Sequence, residues 1–449
     1  MSVVQQEAPP SRAAIYETPP AATGGVYPSG AEIAAAARDI RVPSPRQVVA
    51  DAARRQKSAG LSDESMVLNM GPQHPSTHGV LRLAVELAGE DVVQLAPDIG
   101  YLHTGIEKNM EAKTYQKAVV MTDRTDYLGP LNNNLVYALA VEKILDCEIP
   151  PRAQVTRVLL SELTRINSHL VWLGTHALDL AAMSVFLYCF REREMLLDIN
   201  ELYSGARMMT SYIRPGGLAY DLPEEFKPTV QRFLDVMPGH IDEYEALLTD
   251  NPIWKERTVG VGVLNAVDAI ALGATGPVLR ASGIPYDVRK VFPYSGYENY
   301  DFKVITASNG DVYDRYRVRM AEMRESVKIA QQALDNLPDG PYATSDRKVW
   351  PPPKEEITYS MESLIHHFKL WTEGFKPPVG DAYAAIESGR GELGCYIVSD
   401  GSPKPWRVHF RGPSFIHLQP LAHMAKGKLI ADLVAMIASL DPVLGEVDR

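Results

Sequence analysis

Two histidines, His74 and His78, stand four positions apart in GPQHPSTHG, residues 71 to 79. Imidazole can ligate a metal, exchange a proton near neutral pH or donate to a carbonyl oxygen, so the pair is the first place to look for chemistry. On a helix this spacing would put both rings on one face, as a zinc pair requires. Pro75 prevents it, because proline has no amide hydrogen for a helix interior, and glycines bracket the run. The stretch is therefore a turn, and a histidine-based metallohydrolase loses its basis.

A second group lies in LTRINSHLVWLGTHALDL, where helical spacing lets His169, His176 and Asp179 share a face. For either histidine, a hydrogen-bonded place inside a bundle is the plain reading. Asp179 differs, since an isolated buried carboxylate is costly and needs a partner. An imidazole is the obvious one, and a pairing of Asp179 with His78 would make a buried site able to take and give a proton. A third group is MTDRTDYLGPLNNN, residues 121 to 134, where Arg124, Asp126 and Tyr127 precede a Gly-Pro break. A position at the end of an element suits functional groups, and a phenol on a rigid ring suits a carbonyl oxygen of a flat apolar ligand.

These groups need a scaffold, and 449 residues with 45% hydrophobic content can supply one large core with appendages. Lys+Arg 45 against Asp+Glu 56 gives a net charge of -11, which argues against nucleic acid as a partner. The three cysteines, Cys147, Cys189 and Cys395, lie far apart with no C-x-x-C, which excludes a self-contained thiolate cluster and makes a reducing compartment the default. MSVVQQEAPPSR lacks the apolar segment of a secretory signal. The apolar stretch 170 to 190 is long enough to cross a bilayer but carries His176 and Asp179 near its middle. An acid there is disfavoured by ~3 kcal/mol, so the stretch reads as buried core.

The pattern along the chain gives an α+β fold. Residues 1–60, rich in Ala, Pro, Ser and Gly, read as a flexible tail. Residues 61–104 alternate as short strands and form a small N-terminal sheet holding the histidine turn. Residues 105–380 show helical periodicity over long segments and form a central bundle. Residues 381–449 are β-rich, with a hairpin and a terminal helix. GRGELG at 389 to 394 matches G-x-G-x-x-G, but a strand rather than a helix follows, so it is a hairpin turn. The chain contains no Walker A, H-E-x-x-H or G-x-S-x-G motif.

The strings GPQHPSTHGVLRL, IGYLHTGIEKNMEAKTYQKA, RTDYL, LTRINSHLVWLGTHALDL, FREREMLLDINELYSGAR, RPGG, NPIWKERTVGVG, PYSGYENYDF, IESGRGELG and SLDPVLGEVDR occur in order over residues 66 to 449. Together they resemble the D-type (49 kDa) subunit family of bacterial respiratory complex I, a proton-translocating NADH:quinone oxidoreductase. The resemblance implies a peripheral protein on the cytoplasmic face of the cell inner membrane, inactive alone. Its partners would be the B-type iron-sulfur subunit, the C-type subunit, the I-type ferredoxin subunit and the H-type membrane subunit. The family is in turn similar to the large subunit of nickel-iron hydrogenases, whose second cysteine pair lies in D-P-C-x-x-C. Here the frame reads DPVLGEV, so Val443 and Glu446 stand in place of thiolates, and without soft ligands such a centre is not held. The resemblance puts the first pair at Arg124 to Gly129, also without cysteine.

In the family the vacated cavity faces the B-type subunit, which carries the terminal iron-sulfur cluster, and receives a quinone, menaquinone or ubiquinone. Carried over by motif, His78 and Tyr127 would contact the two quinone carbonyls, with His74 nearby as a supporting quinone-binding residue, and Asp179 would pair with His78. Arg82 and Arg124 match arginines close to the cluster, where positive charge favours its reduced form. This chain would bind no metal itself. One departure is Met209: many members carry a histidine two positions after the arginine of SGAR. Methionine does not titrate, which implies a cluster potential with little pH dependence near neutrality and a low-potential quinone such as menaquinone. The rival readings are an equivalent subunit of a ferredoxin-fed or hydrogenase-derived complex, and a scaffold without ligand.

Overall fold

The structure is a computed structural model that describes residues 27–58 and 65–449. The first part of the expected tail, residues 1–26, lies outside the described residues. Its remainder is not featureless, since helices run over Gly30–Asp39 and Pro45–Ser58. Composition hides them, because alanine, taken there as a lack of core-forming side chains, is also the best helix former. The first begins with a reciprocal cap in which Glu32 N donates to Ser29 Oγ at 3.2 Å and Ser29 N donates to Glu32 Oε2 at 2.7 Å. The second lies on the first sheet, where Val48 joins Ala84 and Ala96 in a small apolar cluster. Its Arg55 donates through Nε to Glu86 Oε1 at 2.9 Å, meeting a strand carboxylate that is wholly buried.

That sheet is an antiparallel meander of Ser65–Met70, Arg82–Ala88 and Asp91–Asp98. Its inner positions Leu83, Val85, Val92 and Leu95 are buried in the main core. The histidine turn connects the first two strands and contains a short 3-10 segment, Pro75–Thr77.

The centre is the helix Pro151–Asp179, opened by proline at its first position and buried around most of its circumference between its exposed ends. Against it pack the helices Pro130–Leu145, Met183–Ser204, Val312–Asp335 and Ile430–Leu440. Trp172, fully buried, also donates through Nε1 to the Ala438 carbonyl at 2.9 Å, tying the central helix to the C-terminal one. Burying such a side chain is worth about 1.5–3 kcal/mol. The apolar run 170 to 190 is broken after Asp179 by a turn whose Ala181 has φ 67, so it is two helices with a corner. Among the described residues no helix is long and apolar enough to cross a membrane.

Near the C-terminus a second meander, Gly380–Glu387, Glu392–Ser399 and Arg407–Arg411, is followed by helices Pro413–Ala425, Ile430–Leu440 and Leu444–Asp448. GRGELG is the turn of its first hairpin. Three helices thus stand where the sequence pattern predicts one. Pro413 and Pro420 suggest a break, yet Pro413 begins the added helix and Pro420 is accommodated inside it.

Candidate functional site

His74 starts the turn and is spent on it. Its Nδ1 accepts from Ser76 N at 3.2 Å while its carbonyl accepts from Thr77 Oγ1 at 2.8 Å, and the side chain faces outward. His78 ends the 3-10 segment with φ 50, a left-handed conformation that is strained for most residues but tolerated by His. That twist turns its ring inward. Nε2 lies 2.9 Å from Asp179 Oδ2, and both side chains are about 11% exposed. Asp179 is the last residue of the central helix, where the macrodipole disfavours an acid. Its place is explained by the imidazole rather than by the helix. The pairing expected from sequence is thus present across 101 residues of chain.

Tyr127 is positioned by its neighbour. Asp126 Oδ1 accepts from Leu128 N at 3.0 Å and Gly129 N at 3.2 Å, an Asx-type turn that ends as Pro130 opens the next helix. Asn133 Nδ2 reinforces it by donating to the Asp126 carbonyl at 3.0 Å. Two adjacent C-terminal residues bring this turn and the histidine turn to one place. A Cβ on Gly79 would lie 3.6 Å from Leu444 Cδ1, and a Cβ on Gly445 would lie 2.8 Å from the Thr125 carbonyl oxygen and 3.3 Å from Tyr127 Cδ1. The DPVLGEV and RTDYL segments are therefore in direct contact. Burial pushes the Tyr127 phenol above its ordinary value; the nearby Arg390 charge opposes that and the carboxylates of Asp126 and Asp441 add to it, so the group remains an O–H donor at neutral pH.

Beneath these residues lies a charge cluster. Arg390, from the GRGELG turn, donates through Nη1 to Asp126 Oδ2 at 2.7 Å and Ser168 Oγ at 3.0 Å, and through Nε to the Asp441 carbonyl at 3.1 Å. Asp441 Oδ2 lies 3.4 Å from Arg390 Nε. Burial raises the Asp441 carboxyl, against the pull of Arg390 and Arg319 and, more weakly, of His78. Glu446 Oε2 accepts from Ser414 N at 3.1 Å, while its Oε1 is buried without a partner. Burial, helped by the Asp126 charge, pushes Glu446 up to about 7.

The remaining expected residues are dispersed. Arg82 donates through Nη1 to Asp98 Oδ2 at 2.6 Å and through Nη2 to Asn69 Oδ1 at 2.9 Å on the first sheet. Arg124 is exposed, with Nη1 2.7 Å from the Val120 carbonyl. Met209 is half-buried and Val443 is buried. His169 and His176 do not join the pair. Both are fully buried: burial lowers His169 to about 4 despite Glu322 at 3.4 Å, and holds His176 well below the ordinary imidazole range, so both are neutral at pH 7. Sequence reasoning missed Arg390, Asp441 and Glu446 as members of one cluster with Asp126. The available signal was Arg390 itself, a charged side chain in a glycine turn between apolar strands.

No cysteine stands at this site: Cys189 is in the helix after the corner, Cys395 in the second sheet, and Cys147 just beyond the Pro130–Leu145 helix. Among the described residues no group of three or more His, Cys, Asp and Glu side chains could hold a metal ion. A separate groove of about 1090 Å³, walled partly by Lys113, Lys117, Tyr342, Trp350 and Trp371, has neither His78 nor Tyr127 in its lining.

The family described as respiratory-chain NADH dehydrogenase, 49 Kd subunit, matches residues 179–449. A D-type NADH-quinone oxidoreductase subunit of Chloroflexus aurantiacus is 73% identical over 413 residues, covering 91% of this chain and 99% of that protein. Its counterpart in Herpetosiphon aurantiacus is 67% identical over 414 residues, 92% of this chain and 98% of its own length. The one in Geotalea uraniireducens is 58% identical over 388 residues, 86% of this chain and 100% of its own. The chain belongs to the D-type, 49 kDa subunit family of NADH-quinone oxidoreductase, respiratory complex I, and takes part in oxidoreductase activity within that complex.

Proposed function

We propose that this chain is the quinone-binding component of the peripheral arm, forming with a B-type partner the site where quinone is reduced, and docking with C-, I- and H-type subunits at the cytoplasmic face of the membrane. The observation that carries the reading is the convergence of the His78–Asp179 pair and Tyr127 on Leu444 and Gly445. The hydrogenase-like socket is part of the same proposal. The two segments that would hold thiolates are in contact, and Val443 and Glu446 occupy the cysteine positions.

Reduction of a quinone to a quinol needs two electrons and two protons. The partner's iron-sulfur cluster supplies the electrons when the complex is assembled. This chain supplies donors: Tyr127 O–H to one carbonyl oxygen, and the His78 ring to the other. With Nε2 held by Asp179, Nδ1 is the atom left for the substrate. After both protons are given, a tyrosinate and a neutral imidazole beside the Asp179 carboxylate remain, a change of charge that can bias a conformational switch toward the membrane arm. General acid catalysis of this kind contributes on the order of 10²–10⁴-fold. In purified complex carrying Tyr127→Phe and His78→Ala together, quinone reduction, normalised to NADH oxidation by an artificial acceptor, falls by that order. A wild-type rate would remove the proposal.

A further inference from the structure

The buried cluster contains three carboxyls, Asp126, Asp441 and Glu446, around one guanidinium, Arg390. Asp126 is well served, by Arg390 at 2.7 Å and by two backbone N–H groups. Asp441 has Arg390 at 3.4 Å, and Arg319 acts on it without contact. Among the described residues no cation contacts the Glu446 carboxyl, and Arg449 reaches only its backbone carbonyl. One backbone N–H reaches Oε2, and Oε1 is left bare although the side chain is only 1% exposed. An unpartnered carboxylate oxygen in such a place is strongly disfavoured, and the direct remedy is a proton.

We propose that Glu446 is a proton-exchanging carboxyl that stores one proton behind Tyr127 and His78 and serves the reaction assigned above to that site. The charged groups of the cluster support this: Asp126 from the RTDYL turn and Arg390 from the hairpin turn act on Glu446 itself, Arg449 reaches only its backbone carbonyl, and Arg319 from the Val312–Asp335 helix and His78 act on the neighbouring Asp441. Only Arg390 among the cations both touches the cluster and acts on Glu446, and Asp126 opposes it. The carboxyl accordingly sits at about 7, where it can lose or take up a proton as charge at Tyr127 and His78 changes. No bond other than O–H is made or broken: the Glu446 O–H gives its proton to the tyrosinate oxygen that quinone reduction leaves at Tyr127, Glu446 becomes a carboxylate, and it is later reprotonated from bulk solvent. Glu446 is a positioning and storage group and does not touch the substrate.

The titration stands without the quinone reading; the service to catalysis rests on it, and the test separates them. Infrared difference spectra of intact complex, taken across about pH 5 to 9 around the expected midpoint, should show a protonated-carboxyl C=O band that fades near neutrality and is absent in Glu446→Gln. In that variant normalised quinone reduction should fall roughly tenfold, less than for a group touching substrate, and lose its neutral pH limb. If Glu446→Gln does not assemble, Glu446→Asp must shift the midpoint of the band. A band that titrates identically in the variants overturns the proposal, and so does a lost band with an unchanged pH profile of quinone reduction. A wild-type quinone rate in the Tyr127/His78 double variant, with the Glu446 band intact, overturns the site reading and leaves the titration standing.

Discussion

Glu162 and Glu446 are both fully buried glutamates near arginines, and they behave in opposite ways. Glu162 accepts from Arg289 Nη1 at 3.0 Å, Arg165 Nε at 3.2 Å, Tyr297 O–H at 2.6 Å and Ser326 Oγ at 2.7 Å. Two cations and two hydroxyls outweigh burial and hold it down to about 2. Glu446 is buried beside the Asp126 charge, with only Ser414 to donate to it and Arg390 acting through space, and is pushed up to about 7. Burial does not decide what a carboxyl does; the number and kind of donors around it do. A saturated network fixes structure, while an undersupplied one is free to exchange protons.

The largest way to break this contrast is Glu162→Ala. It strands Arg165 and Arg289 inside the core, and removing one partner of a buried pair typically costs ~3–5 kcal/mol. The expected result is loss of assembled complex on native gels and a lowered unfolding midpoint, whereas a stable, assembled variant would place Glu162 with the exchangeable group. A smaller effect comes from Gly445→Ala, whose new Cβ would meet the Arg124 carbonyl at 2.9 Å and the Thr125 carbonyl at 2.8 Å, backbone atoms that cannot swing aside. Overpacking should cost about 1–3 kcal/mol and displace Tyr127. It therefore reads out as weakened quinone turnover at modest loss of thermal stability.

The smallest effect is on the pH dependence of stability, where the two regions act with opposite sign. Glu162 and Glu322 are lowered from 4.5 to about 2, so their contribution is present above 4.5 and lost as pH falls toward 2. His169, lowered from 6.5 to about 4, refuses a proton that the unfolded chain accepts, so stability also falls as pH drops across that window. Glu446 is raised from 4.5 to about 7, so its contribution is complete below 4.5 and lost as pH rises through about 7. Denaturant midpoints of wild type and Glu446→Gln at several pH values should therefore diverge only between about 4.5 and 7. Parallel curves there would erase the contrast.

Much of this was legible before the fold was known. The proline in GPQHPSTHG forced a turn, and the acid of HALDL needed an imidazole; the structure brings the two together at 2.9 Å. The carboxyl cluster was not legible, because Arg390 and Asp126 are 264 residues apart and no local pattern links a hairpin turn to a helix entrance. The helices at residues 30–58 were missed for a different reason. Their signal was local, a serine three positions before a glutamate ahead of an alanine run, but low overall hydrophobicity obscured it.

The Arg55–Glu86 contact has a practical consequence for anyone trimming the Ala- and Pro-rich N-terminal segment from the chain. Glu86 lies in the middle strand of the first sheet, two residues after Ala84, which the Pro45–Ser58 helix covers through Val48. Removing residues up to 60 would delete that cover together with the guanidinium, leaving the strand acid with Gln94 and Ser65 for support. The sheet that carries the histidine turn would then be weakened at its back, and a shortened protein could fail in quinone assays while every residue at the front remained intact.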